Sequence, residues 1–320
     1  MPSARVLPRL GGVNDHAPTA GLDVLIVGGG PAGLSAAMWL ARYRRRVLVV
    51  DAGTSRNERA VAVHGYPGVP DIAPAELHAV LLKQAEDAGA TVVRDVVTSI
   101  HGRKDAFHAE TAGSGTIGAR RILLATGHHD VLPEVPGLDE AYGITVHHCP
   151  DCDGPSSAGQ RVGVLGHDLH AAALALFLLT WTPHVILLTN GREPRLDAET
   201  LRILDARGVH VRTDAIERLD QTGGFVRRAV FRTGAALPLE RVFFFSSPPS
   251  PPALGIELGC EAVDGRFLTD EGQQTTVAGV YAAGDIAGHP HLSISAAAEG
   301  VAAALAIHRS LLPEEFKLGS

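Results

Sequence analysis

The 320-residue sequence predicts an α/β protein made of two three-layer domains, the second inserted into the first. Three observations predict it. A strand, glycine turn, helix and strand run in order from Asp23, and a second unit of the same order begins at Arg161. Two further strands that end in small-residue turns bracket that second unit.

In the first unit, Asp23–Val27 (DVLIV) is a short apolar run of β-forming residues, followed at once by Gly28-Gly29-Gly30-Pro31-Ala32-Gly33. Leu34–Tyr43 has helical spacing, and the next apolar run, Arg46–Val50, ends in Asp51, twenty-three residues after Gly28. That is the order of a Rossmann-like, dinucleotide-binding βαβ unit. In such a unit Gly28 makes the tight turn, Gly30 lets backbone approach a pyrophosphate, and Gly33 lets helix and strand pack closely. Pro31 and Ala32 open the helix, whose unpaired N–H groups face phosphate. Asp51 accepts hydrogen bonds from a ribose. A glycine turn alone also arises for structural reasons; strand, helix and acid in sequence make a nucleotide the expectation.

Arg121–Gly127 (RILLATG) and Gly279–Asp285 (GVYAAGD) each read as a buried strand ending in a small-residue turn, and Ser293–His308 follows as a helix. Between them lies the second unit. Arg161–Leu165 is its strand, Gly166–Ala171 its turn, Ala172–Thr180 its helix and His184–Leu188 its next strand. Residues 207–263 alternate short strands with turn signals at Thr222-Gly223-Gly224 and Thr233-Gly234. A proline-rich stretch, 246–252, then marks the return to the first domain. The expected division is a loose arm over 1–21, a first domain over 22–137 and 266–315, and an inserted domain over 138–265.

Composition excludes several classes. Lys and Arg total 28 against 35 Asp and Glu, a net charge of −7, which opposes binding to nucleic acid through phosphate neutralisation. The longest apolar stretch, Ala171–Trp181, is eleven residues, where a membrane-spanning helix needs about twenty. Residues 11–20 are too polar for the core of a secretory signal, so the cytoplasm is the expected compartment. There, three cysteines do not form a disulfide framework.

Two of the three stand together in His147-His148-Cys149-Pro150-Asp151-Cys152-Asp153-Gly154. Cys-x-x-Cys brings two sulfurs close enough to close a small ring, and such pairs often carry a thiolate of depressed pKa. Two buried packing thiols are the bland alternative, although Pro and Asp do not suit an apolar run. Zinc is the other, but adjacent histidines rarely both reach one tetrahedral ion, and no second pair exists to complete the shell. No metal is expected. Cys260, alone, is expected to be a packing residue.

Residues 22–312 as a whole resemble the low-molecular-weight thioredoxin reductase family. The likeness rests on the glycine fingerprint, Ala125-Thr126-Gly127, Cys-x-x-Cys-Asp-Gly at the head of the insert, and the late Gly284-Asp285. The larger glutathione-reductase-like class adds a C-terminal domain and places its cysteines near the first helix. The resemblance implies FAD as cofactor, with Asp285 on its ribityl chain and the helix bearing Ser295 directed at the flavin ring. It implies Cys152 as the sulfur facing the flavin, Cys149 as the sulfur exchanging with a disulfide or dithiol substrate, and Asp153 as acid/base. His148 is a further catalytic candidate, and His147 and His148 either share the proton work or are merely solvated. A thioredoxin-like protein or a small molecule is the implied substrate, and a homodimer the implied assembly.

The departures matter as much. In this family the nicotinamide half carries Gly-x-Gly-x-x-Ala and then a basic cluster. Here the turn is Gly166-His167-Asp168-Leu169-His170-Ala171, and Thr189-Asn190-Gly191 replaces the cluster, leaving Arg195 in the place of the last arginine and Arg192 nearby. Asp168 would crowd and repel a pyrophosphate, so ordinary use of NADPH is not expected. Relatives sharing that trait are ferredoxin-linked reductases, disulfide oxidoreductases with a second flavin, and dithiol oxidases that use oxygen. The wording here is most similar to the diflavin-linked group.

Overall fold

The computed structural model describes residues 21–246, 251–288 and 290–316. The arm expected over 1–21 lies outside them except for Gly21, as does most of the proline-rich stretch.

Val24–Val27 is buried along its whole length and is the central strand of a five-stranded parallel sheet. Its neighbours are Arg121–Leu124 on one side and Val47–Asp51 on the other, with Val280–Ala282 and Thr91–Arg94 at the edges. Such unbroken Val/Ile/Leu runs suit a parallel sheet, because both faces are covered. Helices Pro31–Arg42, Pro74–Asp87 and Ser293–Ser310 pack on one face. Three antiparallel strands, Val97–Arg103, Ala106–Thr111 and Gly115–Ala119, cover the other. The first and last helices meet through small residues; a Cβ on Gly300 would stand 2.1 Å from the Ala32 carbonyl oxygen. That close approach is what the Ala-rich turn around Glu299 provides.

The second domain repeats the plan. Its parallel sheet runs His210–Arg212, Val185–Leu188, Val162–Leu165, Arg241–Phe244 and Val146–His147, with a small antiparallel sheet, 216–238, beside it. The Gly223-Gly224 turn has both φ angles positive, as the type I′ form of a two-residue hairpin requires.

Three boundaries move. The helix expected to open at Ala172 runs from Leu169 to Leu178, because Asp168 caps it, its Oδ1 accepting the Ala171 N–H at 3.1 Å. Cys260 and Phe267, with Leu254, Leu258 and Ala262 beside them, pack into the core of the first domain. Val135 packs into the core of the insert. Side-chain packing therefore ends the insert near the proline-rich stretch, not at residue 265, and starts it a few residues before 138.

Candidate active site

The two domains share one cleft of about 540 Å3, with the glycine turn at one wall and the cysteine pair at another. Each fingerprint glycine has its own geometric reason. Gly28 has φ +108°, and a Cβ there would meet the Ala125 carbonyl oxygen at 2.3 Å. A Cβ on Gly33 would stand 2.0 Å from the Gly28 oxygen, so helix and turn touch only because it is absent. At Gly30 nothing lies within 4 Å of the Cβ position, so the backbone is open to the cleft.

Asp51 ends its strand with Oδ1 accepting the N–H groups of Gly29 at 3.2 Å and Gly53 at 3.0 Å, and with His78 3.6 Å away. Burial favours protonation of its carboxyl, but the nearby His78 and the hydrogen bonds from Gly53 and Gly29 outweigh it and hold the group below its usual value. A ribose thus meets an ionised acceptor. The Thr126 hydroxyl oxygen is buried with no protein partner. An open backbone cradle, an ionised acceptor at the second strand and an unpartnered buried hydroxyl in the same cleft fit a flavin dinucleotide.

Gly284 (φ +81°) donates its N–H to Glu299 Oε2 at 2.7 Å, and Asp285 follows it with Oδ2 2.8 Å from Arg56 Nη1. Arg56 escaped sequence inspection. It lies in a polar loop, Thr54–Asn57, without local pattern, and only the fold brings it to Asp285 and to Asp130. Burial works against its charge, but Asp130 and Asp285 more than offset that and strengthen its hold on the proton.

Cys149 and Cys152 form a disulfide with Cα atoms 5.3 Å apart. Cys149 caps the short helix Pro150–Asp153, and its sulfur accepts the Cys152 N–H at 3.1 Å. A backbone donor aimed at that sulfur favours a thiolate there once the bond is opened. Among the described residues no group of three or more His, Cys, Asp or Glu is arranged to hold a metal.

Neither neighbouring histidine is a solvated bystander. His147 is 5% exposed and has Nδ1 3.2 Å from Asp153 Oδ1. His148 Nδ1 is 2.9 Å from the Tyr142 hydroxyl, which in turn donates to Asp130 Oδ2 at 3.2 Å. Burial lowers the His148 pKa, with Asp130 only partly opposing it, which leaves the ring a neutral proton acceptor at neutral pH. Burial and the adjacent Asp130 carboxylate push the Tyr142 phenol up. Asp130 and Tyr142 were also invisible in the sequence, since neither sits in a motif.

Two Rossmann-like halves around one cleft, with a disulfide on its wall, define a dinucleotide-dependent disulfide oxidoreductase. The chain belongs to the pyridine nucleotide-disulphide oxidoreductase family, whose model matches residues 22–300. It is similar to thioredoxin reductase tcpT of Claviceps purpurea, at 31% identity over 82% of this chain and 86% of that one. The thioredoxin reductase of Treponema pallidum is 30% identical over 82% and 88%. Among solved structures, an oxidoreductase from Agrobacterium tumefaciens is 35% identical, with a TM-score of 0.82 over 91% of this chain and 98% of its own. The chain is thus a flavin enzyme of the thioredoxin reductase type, and FAD is its cofactor. No helix among the described residues is long and apolar enough to cross a membrane.

Proposed function

We propose that this enzyme exchanges electrons between FAD and a protein or small-molecule disulfide through Cys149 and Cys152, without using NADPH in the ordinary way. The observation that carries the first part is that the disulfide and the Gly28–Ala32 turn line one cleft. The turn from Gly28 through Pro31, Ala32 and Gly33 would hold the pyrophosphate, Asp51 the ribose and Asp285 the ribityl chain. Ala125, Thr126, Gly127 and Gly284 would wall the flavin; Ser295 stands on the helix whose Ser293 and Ala296 line the cleft, and does not itself line it.

FAD, when bound, supplies two-electron exchange with the disulfide. The chain supplies the rest. A Cys149 thiolate attacks one sulfur of the substrate disulfide, and that S–S bond breaks as a mixed disulfide forms. The departing thiolate takes the proton that Asp153 or His148 first accepted from the Cys149 thiol. Cys152, the sulfur assigned to the flavin side, then attacks Cys149; the second substrate thiol leaves and the Cys149–Cys152 bond is restored. The same steps run in reverse for a dithiol substrate.

Asp168 supports the second part. Its carboxylate takes the Ala171 N–H at the start of the helix, where a phosphate of a second dinucleotide would be received. At about 4 Å, repulsion between two unit negative charges costs about 1 kcal/mol in bulk water and about 4 kcal/mol at a protein surface. His170 and Phe245 stack at 4.6 Å beside it, at the carboxyl end of the strand Arg241–Phe244. A second flavin would meet the same charge, so the inserted domain is left without a nucleotide. Ferredoxin, a second flavin carried elsewhere, or oxygen then serves as electron partner, and a homodimer in the cytoplasm is the proposed form.

Anaerobic stopped-flow mixing with NADPH tests this. Slow or absent flavin bleaching is expected, and rapid bleaching at micromolar NADPH would refute the closed second site. Photoreduction followed by thiol titration is expected to yield two new thiols per flavin; none would mean a flavin-binding protein without disulfide chemistry.

A further inference from the structure

His147 is held from two sides, and the holding groups differ in kind. The strand Arg241–Phe244 pairs in parallel with Val146–His147, with Phe243 opposite His147. Residues two apart on a strand share a face, so Arg241 and Phe243 address the same side. The Phe243 and His147 rings lie 5.4 Å apart. Arg241 Nη1 reaches His147 Nε2 at 2.9 Å and also donates to the Ile144 carbonyl at 3.3 Å, while its Nε donates to Gln160 Oε1 at 2.8 Å. On the far side of the ring, Nδ1 faces Asp153 Oδ1 at 3.2 Å.

A guanidinium has donors only. The ring nitrogen it meets must therefore be the bare one, and the proton of His147 must sit on Nδ1, the nitrogen 3.2 Å from Asp153 Oδ1. Burial weakens the Arg241 charge and the Asp153 carboxylate at the other end of the line opposes that loss.

We propose that Arg241 is a positioning residue for Asp153, acting by fixing the tautomer of His147. With Nδ1–H donating, the Asp153 carboxylate is kept in one orientation as proton acceptor for the attacking thiol and proton donor to the leaving thiolate. Without Arg241 the ring is free to carry its proton on Nε2. A nitrogen lone pair then faces the carboxylate, which turns away. This rests on the assignment of Asp153 as acid/base made above.

The test uses the FAD-loaded full chain with 15N-labelled histidine, the His147 signals being assigned by their loss in His147→Gln. Wild type is expected to show His147 with Nδ1 protonated and Nε2 bare, and Arg241→Met to shift it toward the other tautomer. In single-turnover exchange of the reduced enzyme with an alkyl disulfide, Arg241→Met is expected to lower the maximal rate by about tenfold without changing the half-saturating concentration. Arg241→Lys, which keeps a pure donor, is expected to recover most of that rate. A wild-type His147 protonated on Nε2 overturns the proposal, even if Arg241→Met fails to fold, and so does an Arg241→Met enzyme of undiminished rate. An unchanged rate in Asp153→Asn overturns the acid/base assignment and this proposal with it; a slow Asp153→Asn beside the wrong tautomer overturns this proposal alone.

Discussion

Arg56 grips Asp130 with two sides of its guanidinium, Nε to Oδ2 at 2.8 Å and Nη2 to Oδ1 at 2.7 Å. Arg56 belongs to the first domain and Asp130 to the segment entering the second, so this pair joins the domains beside the cysteine cleft. The loop repeats the contact further on. Arg59 binds Asp139 and lies over the Tyr142 ring, and the Val61 N–H donates to the Gly143 carbonyl at 3.2 Å.

Arg56→Met should therefore destabilise the protein by about 3 kcal/mol, because it leaves a buried carboxylate without its partner. Arg59→Met breaks an exposed pair and should cost about 1 kcal/mol or less. Urea unfolding of both variants checks the contrast; equal losses would mean that the Arg56–Asp130 pair carries no special weight.

Acid should find the same pair. Burial favours a protonated Asp130, but the Arg56 hydrogen bond and the nearby positive charges outweigh it and bring its pKa down to about 2. A carboxyl lowered on folding stabilises fully above its unfolded value near 3.9 and loses that stabilisation as the pH falls through 2, here about 2 to 3 kcal/mol in all. His148, also lowered, stabilises fully above about 6.5 and loses its share as the pH falls below that. Unfolding free energies measured from pH 8 to pH 2 should show the lower limb shrink by about that amount in Asp130→Asn, Asp51 and the other lowered carboxylates keeping the rest, and the upper limb become shallower in His148→Gln.

The glycine turn separates fold from ligand. Gly33→Ala forces a Cβ against the Gly28 oxygen and should lower stability by about 2 kcal/mol or more, with or without flavin. Gly30→Ala meets nothing in the protein, so the flavin-free protein should melt as wild type does while flavin is retained less tightly. Calorimetry paired with flavin release on dilution distinguishes them.

Cys152→Ser should abolish electron exchange between flavin and thiols yet leave the protein yellow, since no part of the glycine turn depends on that sulfur. Visible absorbance and thiol titration after photoreduction read the two outcomes separately. A colourless, unfolded variant would show that the cysteine serves folding instead.

Asp168 offers a two-variant comparison. Asp168→Ala loses the cap and should cost about 1 kcal/mol, whereas Asp168→Ser keeps an oxygen for the Ala171 N–H and should cost a few tenths. Both remove the charge, and both should bleach faster with NADPH than wild type. A rate that does not change would place the obstacle elsewhere than at Asp168.

What the sequence determined by itself is local. Strand, glycine turn and helix follow one another within about thirty residues of chain, so the two Rossmann-like units, the cysteine pair and Asp51 could be found from spacing and residue type. Folding decided what spacing cannot carry. Arg56 and Asp285 are 229 residues apart in sequence, Arg241 and His147 are 94 apart, and nothing near any of them in the chain marks a partner. The true ends of the insert were hidden for the same reason, because Leu254 and Cys260 join the first core only through side-chain packing. A motif records how the backbone must turn within a few residues, whereas charge pairing and burial depend on which distant segments the sheet order brings face to face.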